Sequence, residues 1–383
     1  MDASETLIWH KGPTDVRPEE AGYDAGTLER LNAHYASLVA GGTIQGASYL
    51  LARGGRVFAN ASVGKLTFRA DSPDLLPTSI RRTYSITKLV TAVAILRLID
   101  HGRLHLAQSV CEILPEFDTP MHRHIQVFHL LTHTSGLYPD PGVHFEPHEP
   151  PWFEWAIEEH RSRMDGNWLR IVLSGPIAAE PGTEWLYSTA GYAVLGEIIS
   201  RVAGKPYHRY VEEEIAAPLG MSRTFFYVPE PLWDEVCLTG PWEERELRDR
   251  YDPAMPPRAG NGMYSTLEDL WRLGQMLLNG GELGGARILS KRATELMAAN
   301  HLRGVPMRCW GAEEPDFAYG LGVSLDDFDL CSPGTFGHEG YGRCGLFIDP
   351  VERLVFVYFA PNPNDYTPET VETPKAIVWS GLL

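Results

Sequence analysis

A serine and a lysine three residues apart, Ser85 and Lys88, are the first pair in this chain whose types and spacing could do chemistry. Residues at positions i and i+3 of a helix lie about one turn apart on the same face, so the hydroxyl and the amine can meet. A hydroxyl beside an amine is the arrangement of a nucleophile that attacks a carbonyl group and forms an acyl-enzyme. The spacing therefore makes Ser85 a candidate nucleophile and Lys88 a candidate base.

The segment after Ser85 predicts a buried helix that would hold this pair. Residues 89 to 99 are nearly all apolar and show no polar face, which is typical of a central helix. Burial disfavours the charged form of a lysine, whose ordinary pKa is about 10.4, and so favours Lys88 as a base. The alternative is a chance S-x-x-K pattern whose lysine reaches solvent, and the pair alone does not decide between them.

Strands are predicted at both ends of the chain, with helices between them. The segments 46–52 and 56–62 flank Arg53-Gly54-Gly55 and predict a β-hairpin. The segments 335–341, 346–349 and 354–359 predict further antiparallel strands. This order implies one α+β unit whose two ends meet in a single sheet.

Two helices outside the central one have clear signals. Leu28, Leu31, Tyr35 and Leu38 recur at helical spacing and predict a helix within residues 16–40 that packs by one stripe. Ser265 is followed three residues later by Glu268, the S-x-x-E pattern of a capping box. A helix is therefore predicted to begin at Ser265.

Composition and charge exclude several classes of function. The chain has 383 residues, of which 44% are hydrophobic, enough for a globular core. Its 33 basic and 50 acidic residues give a net charge of −17, which argues against nucleic acid and anionic membrane surfaces as partners. The five cysteines are odd in number and widely spaced, without a C-x-x-C pair, so neither a disulfide framework nor a zinc site is indicated.

Membrane and export signals are weak in this sequence. No stretch approaches the length of about 18 apolar residues that a membrane helix needs. The first residues lack the basic and apolar regions of a secretory signal. We therefore expect a cytoplasmic protein, or a periplasmic or secreted one if a leader has been removed.

Two further motifs follow the Ser85 pair along the chain, Tyr187-Ser188-Thr189 and His338-Glu339-Gly340. In this order the three motifs resemble those of the serine β-lactamase and penicillin-binding-protein superfamily, in particular its class C β-lactamase-like esterase branch. The connecting phrases 130–137 and 181–183 look similar as well. The resemblance runs from about residue 16 to about residue 360, most of the chain.

The resemblance implies a β-lactamase-like α+β fold. Its antiparallel sheet is formed from N- and C-terminal segments and flanked by helices, with an inserted, mainly helical subdomain. We expect a single domain over residues 16–383. Its α/β part would cover about 16–80 and 265–383, and its helical part about 85–260.

The resemblance also implies roles for individual residues. Ser85 would be the nucleophile, and Lys88 and Tyr187 the groups that move its proton. A free phenol has a pKa near 10, so Tyr187 would need the Lys88 cation to lower its pKa before it could act as a base. The pair would titrate together, and which of the two accepts the proton stays open. The oxyanion hole would consist of the backbone N–H groups of Ser85 and Tyr341.

Two positions depart from the family pattern. The asparagine of the family's Y-x-N is replaced by Thr189, which has no amide donor for a substrate carbonyl. The lysine of the family's K-T-G is replaced by His338, which is mostly neutral at pH 7 and would not attract a substrate carboxylate. Arg343 is an alternative source of the positive charge that the family's lysine would provide for a substrate carboxylate. We expect His338, Gly340, Thr189 and the aromatic Trp152 to bind substrate.

The expected function is that of a serine hydrolase acting through an acyl-enzyme at Ser85, a carboxylesterase on small esters. A D-aminopeptidase, amidase or weak β-lactamase is the alternative within enzymes, and a non-catalytic ligand sensor or assembly protein is the alternative outside them. The partner is expected to be a small-molecule ester or amide, not nucleic acid or membrane, and the oligomeric state is undetermined. No cofactor is expected. Six histidines within 122–148 suggest a metal site, but most lie in a proline-broken segment without ligand spacing.

Overall fold

A seven-stranded antiparallel sheet joins the two ends of the chain. The computed structural model describes residues 7–140, 167–175, 177–309, 312–314, 317–326, 330–362 and 367–383. The sheet consists of β1 (Trp9–Lys11), β2 (Gly46–Arg53), β3 (Arg56–Gly64), β11 (Ser324–Asp326), β12 (Thr335–Gly340), β13 (Cys344–Asp349) and β14 (Leu354–Phe359). Their spatial order is β1-β3-β2-β14-β13-β12-β11. The α+β fold with a sheet made from both chain ends is thereby confirmed.

The remaining strands are short. They are β4 (Ile80–Arg82), β5 (Val236–Cys237), β6 (Tyr264–Ser265), β7 (Glu282–Leu283), β8 (Ala286–Arg287), β9 (Met307–Cys309) and β10 (Ala312–Glu314). Three of them form a small sheet in the order β5-β4-β6. This small sheet leads directly into the segment that carries Ser85.

The α-helices of the described residues cover both faces of the large sheet. They are α1 (Ala25–Ala40), α2 (Ile86–Asp100), α3 (Val127–Leu131), α4 (Leu169–Ser174), α5 (Thr189–Ala203), α6 (Tyr207–Val211), α7 (Pro241–Leu247), α8 (Leu267–Leu278), α9 (Lys291–Met297) and α10 (Pro368–Trp379). Short 3-10 turns lie at Pro18–Ala21, Val110–Glu112, Pro115–Phe117 and Glu230–Glu235, and a π-helical turn lies at Glu212–Ala216. No helix of the described ranges has the length and apolar character that a bilayer crossing requires.

The core lies in two layers on opposite faces of the sheet, because side chains alternate along each strand. Val355 and Val357 of β14 face a large cluster that includes α2 and α8. Phe356 and Tyr358, their neighbours on the same strand, face a second cluster that includes α1 and α10. The predicted helix within 16–40 is therefore confirmed as α1, which packs by its Leu31, Tyr35 and Leu38 stripe.

The start of α8 differs from the prediction. Its N-cap is Thr266, whose hydroxyl accepts a hydrogen bond from the Asp269 amide at 3.2 Å. Ser265 lies one residue earlier in β6, where it pairs with Arg81. The prediction of a cap at Ser265 was wrong because the small sheet takes that residue into a strand. The proposed division into an α/β part and a helical part stays a prediction.

Candidate active site

Ser85 lies at the N-cap of α2, directly after the small sheet. In β4, Ile80 and Arg81 pair with β5, and Arg81 and Arg82 pair with β6. The Thr83 amide donates to the Met263 carbonyl at 2.8 Å. Ser85 is partly exposed, whereas every described neighbour from Ile80 to Leu96 is buried. A substrate can therefore reach this hydroxyl within an otherwise closed segment.

The residue before Ser85, Tyr84, has a backbone conformation that residues other than glycine rarely adopt. Tyr84 has a φ of 45°, in the left-handed region. Its hydroxyl donates to the Glu243 carboxylate, which also forms an ion pair with Arg81 at 3.1 Å. Burial opposes the charged form of Glu243, but Arg81 and the bonds from Thr239 and Tyr84 outweigh it and lower the pKa of the carboxyl. This buried polar cluster holds the backbone turn that presents Ser85, and the sequence analysis did not find it.

Lys88 meets Ser85, as its spacing predicts. Its Nζ lies 3.2 Å from the Ser85 Oγ, one turn back along α2. It also donates to the Gly260 carbonyl at 2.9 Å and to the Thr189 Oγ1 at 3.1 Å. Lys88 is fully buried, so its amine does not reach solvent. The chance pattern with a solvent-exposed lysine is therefore ruled out.

Tyr187 completes the cluster from a distant part of the chain. Its hydroxyl is hydrogen-bonded to that of Ser85, and its ring lies under the Lys88 amine, 4.6 Å from Nζ to the ring centroid. Burial raises the pKa of this phenol well above its ordinary value, and the Ser85 bond only partly opposes the rise. A cation over the ring face does not provide the lowered pKa that a base at Tyr187 would need. The phenol is therefore protonated at neutral pH.

Two histidines flank Tyr187. The His133 ring packs against the Tyr187 ring at 4.4 Å between centroids with a tilt of 34°, and the Nδ1 of His133 accepts a hydrogen bond from the Ser188 amide at 3.1 Å. Burial lowers the pKa of His133 well below its ordinary value. His133 is thus a neutral side chain that packs on Tyr187 and binds the backbone of the next residue.

His338 lies in β12 at the position of the family's lysine. Its Nδ1 is 2.6 Å from the Glu339 carbonyl and so carries the proton, which leaves Nε2 as an acceptor. Burial, with the nearby Lys88, lowers the pKa of His338 to about 3. His338 is therefore neutral throughout the usual assay range and supplies no cation for a substrate carboxylate.

The end of β12 packs directly on the segment before Ser85. A Cβ atom on Gly340 would lie 2.5 Å from the Thr83 carbonyl oxygen and 2.5 Å from the Cys344 Sγ, so no side chain fits there. Tyr341, the next residue, has an exposed ring that meets the Tyr84 ring edge-on at 5.9 Å. Close approach at Gly340 brings the Tyr341 backbone to the Ser85 turn, and its amide stays a predicted oxyanion donor.

The other predicted binding residues have different outcomes. Arg343 lies in the β12–β13 turn with its guanidinium over the Tyr341 ring, 5.9 Å from the centroid. Trp152 lies outside the described residues. Among the described residues, no group of histidine, cysteine and acidic side chains has an arrangement that could hold a metal ion. Cys111, Cys237 and Cys344 are free thiols.

Thr189 contacts Lys88 and also lines a neighbouring cavity, so its role in substrate binding stays a prediction. Its amide donates to the Asp140 Oδ1 at 2.7 Å, and its hydroxyl donates to the Asp140 Oδ2 at 2.5 Å. Asp140 is 47 positions from Tyr187 along the chain, and its own amide donates to the Tyr187 carbonyl at 2.8 Å. Sequence reasoning missed Asp140, because no short-range pattern connects it to the second motif.

A cavity of about 690 Å³ opens beside the partners of Lys88. Thr189, Gly260 and Asn261 are among the residues that line it. Aromatic side chains of Tyr227, Trp242 and Tyr251 line its wall together with Pro256 and Pro257. Its volume is within the range of small-molecule sites, but Ser85 and Lys88 are not among the residues that line it.

The burial of His338 predicts a pH dependence of stability. An unfolded histidine has a pKa near 6.5, and folding lowers that of His338 to about 3, so between these values the unfolded chain binds a proton that the folded chain does not. The free energy of unfolding therefore falls as the pH falls below about 6.5, by about 1.4 kcal/mol per pH unit from this group. Between pH 7.5 and pH 5, urea unfolding should show the wild type losing about 2 kcal/mol more than His338→Asn. Equal losses would contradict a buried, neutral His338.

Comparisons with known proteins show the family to which the chain belongs. The family model described as Beta-lactamase matches residues 31–375. The esterase EstB of Burkholderia gladioli is 29% identical over 84% of this chain and 86% of its own length. A putative D-alanyl-D-alanine carboxypeptidase of Escherichia coli O157:H7 is 22% identical over 94% of this chain and 88% of its own length.

A solved structure shows the same fold. EstCE1, a hydrolase with promiscuous acyltransferase activity, aligns with a TM-score of 0.73 at 22% identity, covering 92% of this chain and 98% of its own. The family match extends over most of the chain and includes all three motifs. The chain therefore belongs to the beta-lactamase family and is a serine hydrolase.

Proposed function

We propose that the protein is a carboxylesterase that forms an acyl-enzyme at Ser85. The observation that carries this proposal is the neutral, buried His338 at the position where the family has a lysine. β-Lactams and C-terminal peptides carry a carboxylate that such a lysine would attract. A neutral imidazole with an acceptor at Nε2 suits a substrate that lacks this charge. The 29% identity to the esterase EstB supports the same choice.

In the proposed first step the Ser85 Oγ attacks the ester carbonyl carbon. Its proton passes to the Lys88 Nζ, which lies 3.2 Å away. Lys88 is the better acceptor because burial holds the Tyr187 phenol in its neutral form. The negative charge of the tetrahedral intermediate would be stabilised by the amides of Ser85 and Tyr341.

In the following steps the intermediate expels the alcohol and the acyl group is released. The C–O bond of the ester breaks, and the departing alkoxide receives a proton from the Lys88 ammonium through the hydroxyl of Tyr187. Water then attacks the acyl-enzyme, passes its proton to the same pair, and frees the carboxylic acid and the Ser85 hydroxyl. No cofactor takes part in the proposed cycle.

Covalent labelling tests the nucleophile. Incubation with a fluorophosphonate should add one adduct to the wild type and none to Ser85→Ala, as measured by intact mass. Ser37→Ala, a change on the surface helix α1, is the matched control and should be labelled like the wild type. Equal hydrolysis of esters by the wild type and Ser85→Ala would overturn the proposal, and a wild type that takes no adduct would favour the non-catalytic alternative.

Substrate choice tests the esterase assignment. The wild type should hydrolyse p-nitrophenyl butyrate and leave nitrocefin and D-alanyl-D-alanine peptides largely intact. Faster turnover of nitrocefin than of the ester would select the weak β-lactamase, and faster turnover of the peptide would select the peptidase. In both of those outcomes Ser85 remains the nucleophile and only the substrate class changes.

A further inference from the structure

The contacts of Lys88 indicate which partners accept hydrogen bonds from its amine. The Gly260 carbonyl can only accept, so it takes one N–H of Lys88. The Thr189 hydroxyl gives its own proton to the Asp140 carboxylate, so towards Lys88 it also accepts. A neutral amine has two N–H groups and one lone pair. In that neutral form the bonds to Gly260 and Thr189 would take both N–H groups, and the lone pair would then be available to the Ser85 hydroxyl, whose Oγ lies 3.2 Å from Nζ.

We propose that Asp140 is a positioning residue that acts through Thr189 to orient the Lys88 amine for proton transfer from Ser85. The inference rests on the proposed function, because it assigns a role within the same acylation step. An asparagine at position 189 could offer either an acceptor or a donor to Lys88. The hydroxyl of Thr189 has one proton, and the carboxylate of Asp140 takes it at 2.5 Å. Thr189 is therefore kept as an acceptor.

The charges of the groups around Lys88 support a role for the Asp140 carboxylate in the proton transfer. The titratable groups that face Lys88 are His133, His338, Tyr187 and Tyr192, in addition to Asp140 through Thr189. Burial lowers the pKa of both histidines and raises the pKa of both tyrosines, so these four side chains are uncharged at neutral pH. Among the described residues that these contacts bring near Lys88, Asp140 is the acidic one, and its carboxylate favours the ammonium form of Lys88 after it has taken the proton.

A purely structural role is the competing account. Asp140 also binds the Thr189 amide at 2.7 Å and, through its own amide, the Tyr187 carbonyl at 2.8 Å. These bonds attach the 138–140 segment to the start of α5 whether or not the Thr189 hydroxyl is present. The two accounts therefore differ in whether the effect of Asp140 needs that hydroxyl.

The variant Asp140→Asn keeps the size and shape of the side chain. It removes the negative charge and replaces the carboxylate oxygen that accepts from the Thr189 hydroxyl. The amide NH₂ of asparagine donates to the Thr189 oxygen, which turns the threonine proton towards Lys88 and occupies its lone pair. We expect kcat/KM for p-nitrophenyl butyrate to fall about 30-fold. We also expect the acidic limb of its pH profile to move about one unit lower, because the carboxylate no longer favours the ammonium form.

A double-variant cycle decides between the accounts. In a Thr189→Val background, which lacks the hydroxyl, Asp140→Asn should cause no further loss of kcat/KM, while the shift of the acidic limb, which comes from the carboxylate charge, should remain. In a Thr189→Ser background, which keeps the hydroxyl, the loss of kcat/KM should return. If Asp140→Asn costs the same in all three backgrounds, with an unmoved acidic limb, Asp140 is only a structural attachment and the inference is wrong.

Asp24→Asn is the matched control for these measurements. Asp24 caps α1 with the same kind of contacts, accepting from the Gly26 amide at 3.2 Å and the Thr27 hydroxyl at 2.8 Å. Its replacement should leave kcat/KM and the pH profile unchanged. Fluorophosphonate labelling of wild-type Ser85 is measured alongside. Absent labelling refutes the proposed function, whereas normal labelling with an Asp140→Asn rate equal to wild type refutes the present inference alone.

Discussion

Lys88→Met is expected to slow the acylation of Ser85 by about 10³-fold, the scale of losing a positioned acid–base group. The amine lies 3.2 Å from the Ser85 Oγ and is fully buried, so no water replaces it readily. Methionine has a similar length and fits a buried slot without leaving a charge. The measurement is the second-order rate of fluorophosphonate labelling, followed by intact mass at pH 7.5.

The matched control for this change is Lys375→Met. Lys375 is also a buried lysine, on α10, on the other side of the sheet from the site. Its replacement should leave the labelling rate close to that of the wild type. Lys88→Arg, which keeps a positive charge that cannot be released, should be as slow as Lys88→Met. A wild-type rate in Lys88→Met would instead make Tyr187 the proton acceptor.

Glu243→Ala is expected to destabilise the fold by about 3–5 kcal/mol, the cost of leaving one partner of a buried ion pair uncompensated. Arg81 and Glu243 are each 1% exposed, and their atoms meet at 3.1 Å. Removal of Glu243 leaves the Arg81 guanidinium without its partner in the interior. It also removes the acceptor of the hydrogen bond that the Tyr84 hydroxyl donates. Urea unfolding at pH 7.5 measures the loss.

Two further variants make this expectation specific. Glu268→Ala breaks an exposed pair with Arg272 on α8 and should cost under about 1 kcal/mol. The double variant Arg81→Met/Glu243→Met removes both charges together, so it should be less destabilised than Glu243→Ala. Similar costs for Glu243→Ala and Glu268→Ala would show that the buried pair does not support the Ser85 turn energetically.

Local patterns in the sequence were sufficient for several features. The apolar run after Ser85 predicted α2, because a helix without a polar face must be buried. The spacing of Ser85 and Lys88 predicted their contact, because a helix brings positions i and i+3 together. The hairpin around Arg53-Gly54-Gly55 is confirmed as β2 and β3. Glycines tolerate the positive φ of a tight turn, and the apolar segments on either side of such a turn pair as strands.

Other features needed the tertiary structure even where the local signal was strong. Ser265 and Thr266 are both good helix caps, so the sequence alone does not choose between them. The choice was made by pairing of Ser265 with Arg81 in the small sheet. In the same way, His338 was expected to be mostly neutral, but only its burial moves its pKa to about 3.

The sequence by itself determined the family, the α+β order of elements and the nucleophile pair, because these depend on short periods and on motifs read along one segment. The tertiary structure alone decided what surrounds that pair. Asp140, Glu243 and Gly260 come to Ser85 and Lys88 from positions more than 50 residues away in the chain. Such contacts are set by how layers pack, and the energies of buried charges and shared protons depend on that packing rather than on neighbours in sequence.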